Sequence, residues 1–398
     1  MTTAPLGLRR MKPRDPREIA RAASPLELFF DLVFVVAVSM VSAQLHHFYA
    51  EGHVVAGLGS YIMVFFAIWW AWMNFTWFAT SFDTDDWLYR LLTIVQMGGA
   101  LVMAAGVGPA MEHQDFLVVT FGYVLMRIAL VGQWLRAAVS HPSLRATALR
   151  YAAGVGAVQI LWIVRLVLPG QGDPVLFFAL LLTEILVPVW AEKRGQTPWN
   201  PQHIAERYGC FTLIVLGESV LASTTAVVDA AGHREHFGAL LMLAGSALVL
   251  AAGMWWVYFS REHHEHFTNM RDSLLFGYGH YVIFAVAASF SAGIEVAVDI
   301  VSGESGLGVV GAAATLTVPV ALFLATTWFI TLRKSLTRRA SVAFLALTVV
   351  LAACALVPGE TTVGATAAAA VVMVLLVVLL ELPSTVAASR RMGETVES

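Results

Sequence analysis

Unbroken runs of apolar residues divide this chain, and within them polar and apolar positions do not alternate. Each run is about 20 residues long, the length a helix needs to cross a bilayer. Twelve runs are predicted as helices, near 26–46, 54–79, 88–108, 115–137, 149–169, 174–191, 207–228, 237–259, 274–299, 307–331, 341–357 and 362–382. Turn residues fall between them: Gly108 with Pro109, Pro169 with Gly170, Asp173 with Pro174, Pro198 and Pro201, and Pro358 with Gly359. The last three runs are rich in Ala and Val and hold few polar residues. A transmembrane barrel would alternate residue by residue, so it is not expected.

Composition narrows the class further. Of 398 residues, 58% are hydrophobic and 13% are charged, where a soluble domain carries about 25% charged residues. So few charges cannot cover a soluble fold of this size. The expected class is an all-α polytopic membrane protein with about twelve transmembrane helices. A net charge of −3 with no basic, aromatic-interleaved stripe gives no support for nucleic-acid binding. Cys210 and Cys354 lie inside apolar runs, so neither a disulfide nor a zinc site is expected. The first 24 residues are basic and polar, and the first run reads as an uncleaved signal anchor. With the N-terminus inside, 21 of the 24 Lys and Arg residues fall on the cytoplasmic side. Both termini are therefore expected in the cytoplasm.

The two halves resemble each other. The segment from Glu27 aligns with that from Glu206, Trp69 and Trp70 with Trp255 and Trp256, and Asp86 with Asp272. Pro169 and Gly170 align with Pro358 and Gly359 at a similar offset. Six spans per half is an even number, which makes the repeats parallel, a build that recurs in transporters. The expected organisation is a basic segment 1–24, two six-helix repeats at 25–195 and 196–384, and a tail 385–398. The competing reading is chance coincidence of Trp and Pro at membrane interfaces.

A charge at the bilayer centre costs roughly 2.5–3.5 kcal/mol on the insertion scale, so each one asks for a partner, a proton or water. Glu218 sits roughly 16 Å into the seventh span, near the midplane, beside Gly217. It reads either as a proton, cation or substrate ligand or as the partner of a buried arginine. Arg127 in the fourth span, also near mid-depth, is a candidate for that arginine, and Glu184 in the sixth lies somewhat nearer the outer face. Glu27 and Asp31 stand four apart on the first helix and share a face, so a cation, arginine or proton is expected between them. Arg207, beside Glu206, is a candidate. Glu27 also suits a plain helix N-terminus.

Asp83, Asp85 and Asp86 form an acidic turn after the second span, with Asp86 and Arg90 spaced as an i,i+4 pair. A structural staple fits that turn better than a calcium loop. His263, His264 and His266 lack the spacing of a zinc motif. His280 and Glu295 share the ninth span and could relay protons; the alternative is a neutral histidine bonded to a neighbouring helix. No nucleophile elbow, phosphate loop or dinucleotide fingerprint appears in a suitable context, so no enzymatic activity, metal or cofactor is expected.

The segments SPLELFFDLVFVVAV, WWAW with FDTDDW and its following Arg, HIAERYGCFTLIVLGESVLAS and GHYVIFAVAASFSAGIE resemble the bacterial low temperature requirement A family. The resemblance runs from about Ser24 through the ninth span, and more loosely to the twelfth. It places family motif positions at Glu27, Phe30, Asp31, Asp83, Asp85, Arg90, His203, Glu206, Arg207, Gly217, Glu218, His280 and Glu295. Cys210 departs from it, standing where a hydrophobic residue is usual. The resemblance implies a multi-pass protein of the bacterial cytoplasmic (inner) membrane, linked by name to growth in the cold, and supplies no substrate.

The function expected from these residues is secondary transport of a small solute, proton- or cation-coupled. Glu218, Arg127, Glu184, Asp31, His280 and Glu295 would bind ion or substrate. Glu27, Glu206 and Arg207 would form a cytoplasmic gate, with Asp83, Asp85, Asp86 and Arg90 as ion pairs. The alternative is a non-transporting sensor or lipid-interacting scaffold. The partners expected are the lipid bilayer and the solute or ion; a homo-oligomer is compatible with the sequence.

Overall fold

Runs that are apolar all round, broken by Pro, Gly and acidic caps, fold here as helices. A computed structural model of the protein describes residues 8–15, 18, 22–168, 173–231, 236–261 and 270–382. The helices are α1 (Pro25–Ala50), α2 (Val54–Phe82), α3 (Trp87–Ala105), α4 (Val107–His113), α5 (Leu117–Ser140), α6 (Arg145–Val167) and α7 (Pro174–Glu192). They continue with α8 (Pro201–Ala231), α9 (Phe237–Phe259), α10 (Met270–Ser302), α11 (Val309–Ile330), α12 (Arg338–Ala353) and α13 (Val363–Glu381). Short α4 continues α3 past a break at Gly106. No strand occurs among the described residues.

Side chains explain the boundaries. The Ser24 hydroxyl accepts the Glu27 N–H, and the Glu27 carboxylate accepts the Ser24 N–H, a reciprocal cap ahead of α1. Asp86 caps α3 through the Tyr89 N–H, and Asp173 caps α7 ahead of Pro174. On α1, Phe30, Phe34, Ala37 and Val41 are buried, while Phe29, Leu32, Val36 and Met40 are exposed. Apolar side chains on both faces require apolar surroundings on both, which a bilayer supplies. Eleven helical stretches among the described residues are long and apolar enough to span. The remaining predicted span corresponds to α8, whose apolar run from 211 to 228 is interrupted by one charge, Glu218.

The chain forms two compact units. One holds residues 1–44 and 59–210, the other residues 45–58 and 211–398. In the first, α3 and α5 approach so closely that a Cβ on Gly99 would lie 2.7 Å from the Gly122 carbonyl oxygen. In the second, Gly293 of α10 lies against the Thr315 carbonyl of α11 with no room for a Cβ. Glycine at such contacts lets helix backbones meet, the usual source of packing energy in a membrane.

Candidate functional site

In the first unit, the N-terminal part of α8 places Arg207 against the first turns of α1. Its Nε and Nη2 donate to the two oxygens of Asp31 at 3.2 and 2.6 Å. Its Nη1 stands 3.0 Å from Glu27 Oε1, an ion pair without the alignment of a hydrogen bond. The Trp72 indole N–H donates to Asp31 Oδ1 at 2.7 Å, and His203 Nε2 lies 3.3 Å from Glu27. Glu27, Asp31, His203 and Arg207 are all buried. The arginine between the i,i+4 acids is thus the one expected from sequence. Glu206, on the next position, accepts the Ala23 N–H instead.

A second cluster joins α2, α5, α6 and α7 around Glu184. Its carboxylate accepts from the Trp70 indole at 2.7 Å, the Tyr123 hydroxyl at 3.0 Å and the Trp162 indole at 3.1 Å. Arg127 donates to the Tyr123 hydroxyl and stands 3.6 Å from Glu184. Arg127 and Glu184 therefore form a pair, as depth predicted. Glu218, the third member expected there, belongs to the other unit. A Cβ on neighbouring Gly217 would meet nothing within 4 Å among the described residues.

The acidic turn is arranged differently from the spacing rule. Arg90 pairs with Asp85, its Nε and Nη2 donating at 2.7 and 3.0 Å, and not with Asp86. Asp86 is turned toward the start of α3 as its cap, where Arg136 and the Arg9 N–H also reach it. Asp85 has a φ of 45°, and the left-handed bend carries its side chain toward Arg90. Asp83 holds Arg14 at 3.2 Å. Burial works against ionisation of Asp86, but Arg136 and the two N–H donors outweigh it and hold its carboxyl below the ordinary range. Arg90 does the same for Asp85.

In the second unit, the last turns of α1 meet α10. His46 bridges two carboxylates, with Nδ1 3.1 Å from Glu295 and Nε2 2.6 Å from Asp299. The three side chains are about one-fifth exposed, at 20%, 23% and 19%. The His47 ring lies tilted to that of His46 at 5.8 Å, and the charge of half-buried Glu218 bears on Glu295. Neither His46 nor Asp299 was predicted from sequence. Each stands near the polar end of an apolar run, and their separation of most of the chain leaves no local signal. His280 has both ring nitrogens engaged, Nδ1 donating to the Phe276 carbonyl at 2.7 Å and Nε2 receiving the Tyr258 hydroxyl at 2.8 Å. Those bonds include one to a neighbouring helix, as in the alternative reading, and Glu295 is served by His46. The His263, His264 and His266 cluster lies outside the described residues. No group of three His, Cys, Asp or Glu side chains suited to a metal occurs among the described residues.

The family described as Bacterial low temperature requirement A protein (LtrA) matches residues 22–378. The chain belongs to the LtrA family. An uncharacterized protein of Rhizobium meliloti (strain 1021) is 27% identical over 297 residues, covering 66% of this chain and 66% of that relative. The LtrA match spans both units, so the Arg207 cluster and the His46 cluster both lie within family sequence.

Proposed function

We propose that this LtrA-family protein is a secondary transporter of a small solute, coupled to protons, in the bacterial cytoplasmic membrane. The observation that carries the reading is His46 held between Glu295 and Asp299 on apolar helices, partly exposed, with the charge of Glu218 bearing on Glu295. Titratable side chains inside a membrane helix are costly and mark proton or ion paths. With His46 protonated, one cation serves two carboxylates. With it neutral, the like charges of Glu295 and Asp299, one turn apart on α10, lose the cation that offsets them, and the hold of the α1 end on α10 weakens. The likeness of the two halves of the sequence supports the reading, since parallel six-span repeats are a transporter build. A role in the cold would then follow from the solute moved.

A second reading has its own support. The ion pairs of Arg207 with Glu27 and Asp31, and of Arg127 with Glu184, are closed and buried, as a static sensor or scaffold would have them.

Proteoliposomes with a trapped pH dye, challenged with pools of amino acids, organic acids, sugars and nucleosides, separate the two. Transport predicts a dye response to at least one pool, lost in Glu218→Gln and Glu295→Gln variants that still purify as folded protein. Absence of any response or solute uptake by the wild type overturns transport in favour of the scaffold. A full response by both variants removes the cluster from coupling.

A further inference from the structure

Arginine binds a carboxylate best along one edge, where Nε and Nη2 point the same way and meet two oxygens at once. This protein uses that edge twice. Arg207 offers it to Asp31 and Arg90 offers it to Asp85, each through Nε and Nη2. Arg165, in the last turn of α6, has the same edge with no acceptor on it among the described residues. Its Nε and Nη2 are buried and meet no hydrogen-bond acceptor among the described residues, and its side chain is almost wholly enclosed, at 1% exposure.

Aromatic rings enclose it. Its guanidinium carbon stands 4.8 Å from the Phe116 ring centroid, 5.5 Å from Phe177 and 5.7 Å from Trp162. Ring faces compensate the charge but accept no N–H bond of ordinary strength, so the two donors stay unsatisfied. An unsatisfied charged donor in a buried site is unfavourable, and a ligand that satisfies it gains that difference. The space for one is present. Arg165, Phe116, Phe177 and Trp162 line a half-open cavity of about 30 Å³, with Thr120 and Tyr123 in its wall. One water needs roughly 10–15 Å³ on this scale, so a carboxylate group fits. Asp173 bears on Arg165 electrostatically, but its carboxylate is committed to capping α7 through the Val175 N–H at 2.8 Å.

We infer that the cavity at Arg165 is a binding site for a small monocarboxylate, gripped in bidentate fashion by Nε and Nη2, with any short apolar remainder against the aromatic walls. The site lies wholly in the first unit and does not rest on the transport reading.

The test is thermal unfolding of the full-length, detergent-purified protein in sodium formate or acetate against sodium chloride at equal ionic strength, with intrinsic tryptophan fluorescence as a second readout. Wild type is expected to unfold at least about 2 °C higher in the carboxylates than in chloride. Arg165→Lys keeps the charge and loses the planar edge, so the difference between carboxylate and chloride should vanish. Ala67→Leu fills the cavity from α2 without touching the arginine and should abolish it as well, which preserves the test if the lysine variant does not fold. Equal stabilisation by chloride, no effect of either carboxylate, or a carboxylate effect that survives both substitutions would each overturn the assignment.

Discussion

Arg207 has two carboxylates paired with it, while among the described residues no carboxylate pairs directly with Arg165, although both are buried in helices of the same unit. The difference sets what each does. Removing one partner from a buried pair leaves a charge without compensation, at a cost of about 3–5 kcal/mol. Asp31→Asn should therefore lower the unfolding temperature markedly. An Asp31→Asn variant that unfolds like the wild type would show that Glu27 alone satisfies the arginine. At the acidic turn, Asp85 and Asp86 ionise more readily in the fold than in the unfolded chain. Their contribution is present above the ordinary carboxylate range and is lost as pH falls through their lowered values. Acid unfolding followed by circular dichroism should then show Asp86→Asn less sensitive to pH below about 4 than the wild type. The site was legible where a charge stood alone in an apolar run, as with Glu27, Asp31, Arg127, Glu184 and Arg207. It was not legible for His46 and Asp299, which look like ordinary interface residues until the fold joins them.

Among the helices, the tightest joints are made by glycine. A side chain on Gly122 must push α5 off the Gly99 carbonyl and the Met103 backbone of α3, neither of which can give way as a flexible side chain would. Gly122→Leu should lower the yield of monodisperse protein and destabilise it by more than the about 1–3 kcal/mol of ordinary overpacking. Gly98→Leu on α3, where a Cβ meets nothing within 4 Å, is the matched control and should behave as the wild type. Size-exclusion profiles of the two variants decide the matter; equal profiles would mean that the α3–α5 contact contributes little. The helices themselves were plain in the sequence because continuous apolar runs leave one folded option in a bilayer. Which helices touch was not, since lipid-facing and buried residues are equally apolar on α1. The start of α8 at Pro201, several residues before its apolar run, was missed because its first turns are polar and buried in the Arg207 cluster.

For the whole molecule, sidedness depends on one helix. The Lys and Arg bias predicts twelve crossings; eleven stretches among the described residues are long and apolar enough to cross, and α8, with Glu218 inside its apolar run, is the twelfth. If α8 crosses, five spans separate the turn between α5 and α6 from the loop after α10, and the two turns face opposite sides. If α8 stays on one side, four spans separate them and they face the same side. Ser143 lies exposed in the first turn and Glu304 exposed in the second. In a background with Cys210→Ser and Cys354→Ser, Glu304→Cys should react with a membrane-impermeant maleimide on intact cells. Ser143→Cys should react only after the membrane is opened. Equal labelling of both positions would keep α8 from crossing. Glu218 would then lie at a surface, and the proton path proposed from its charge on Glu295 would lose its place in the membrane.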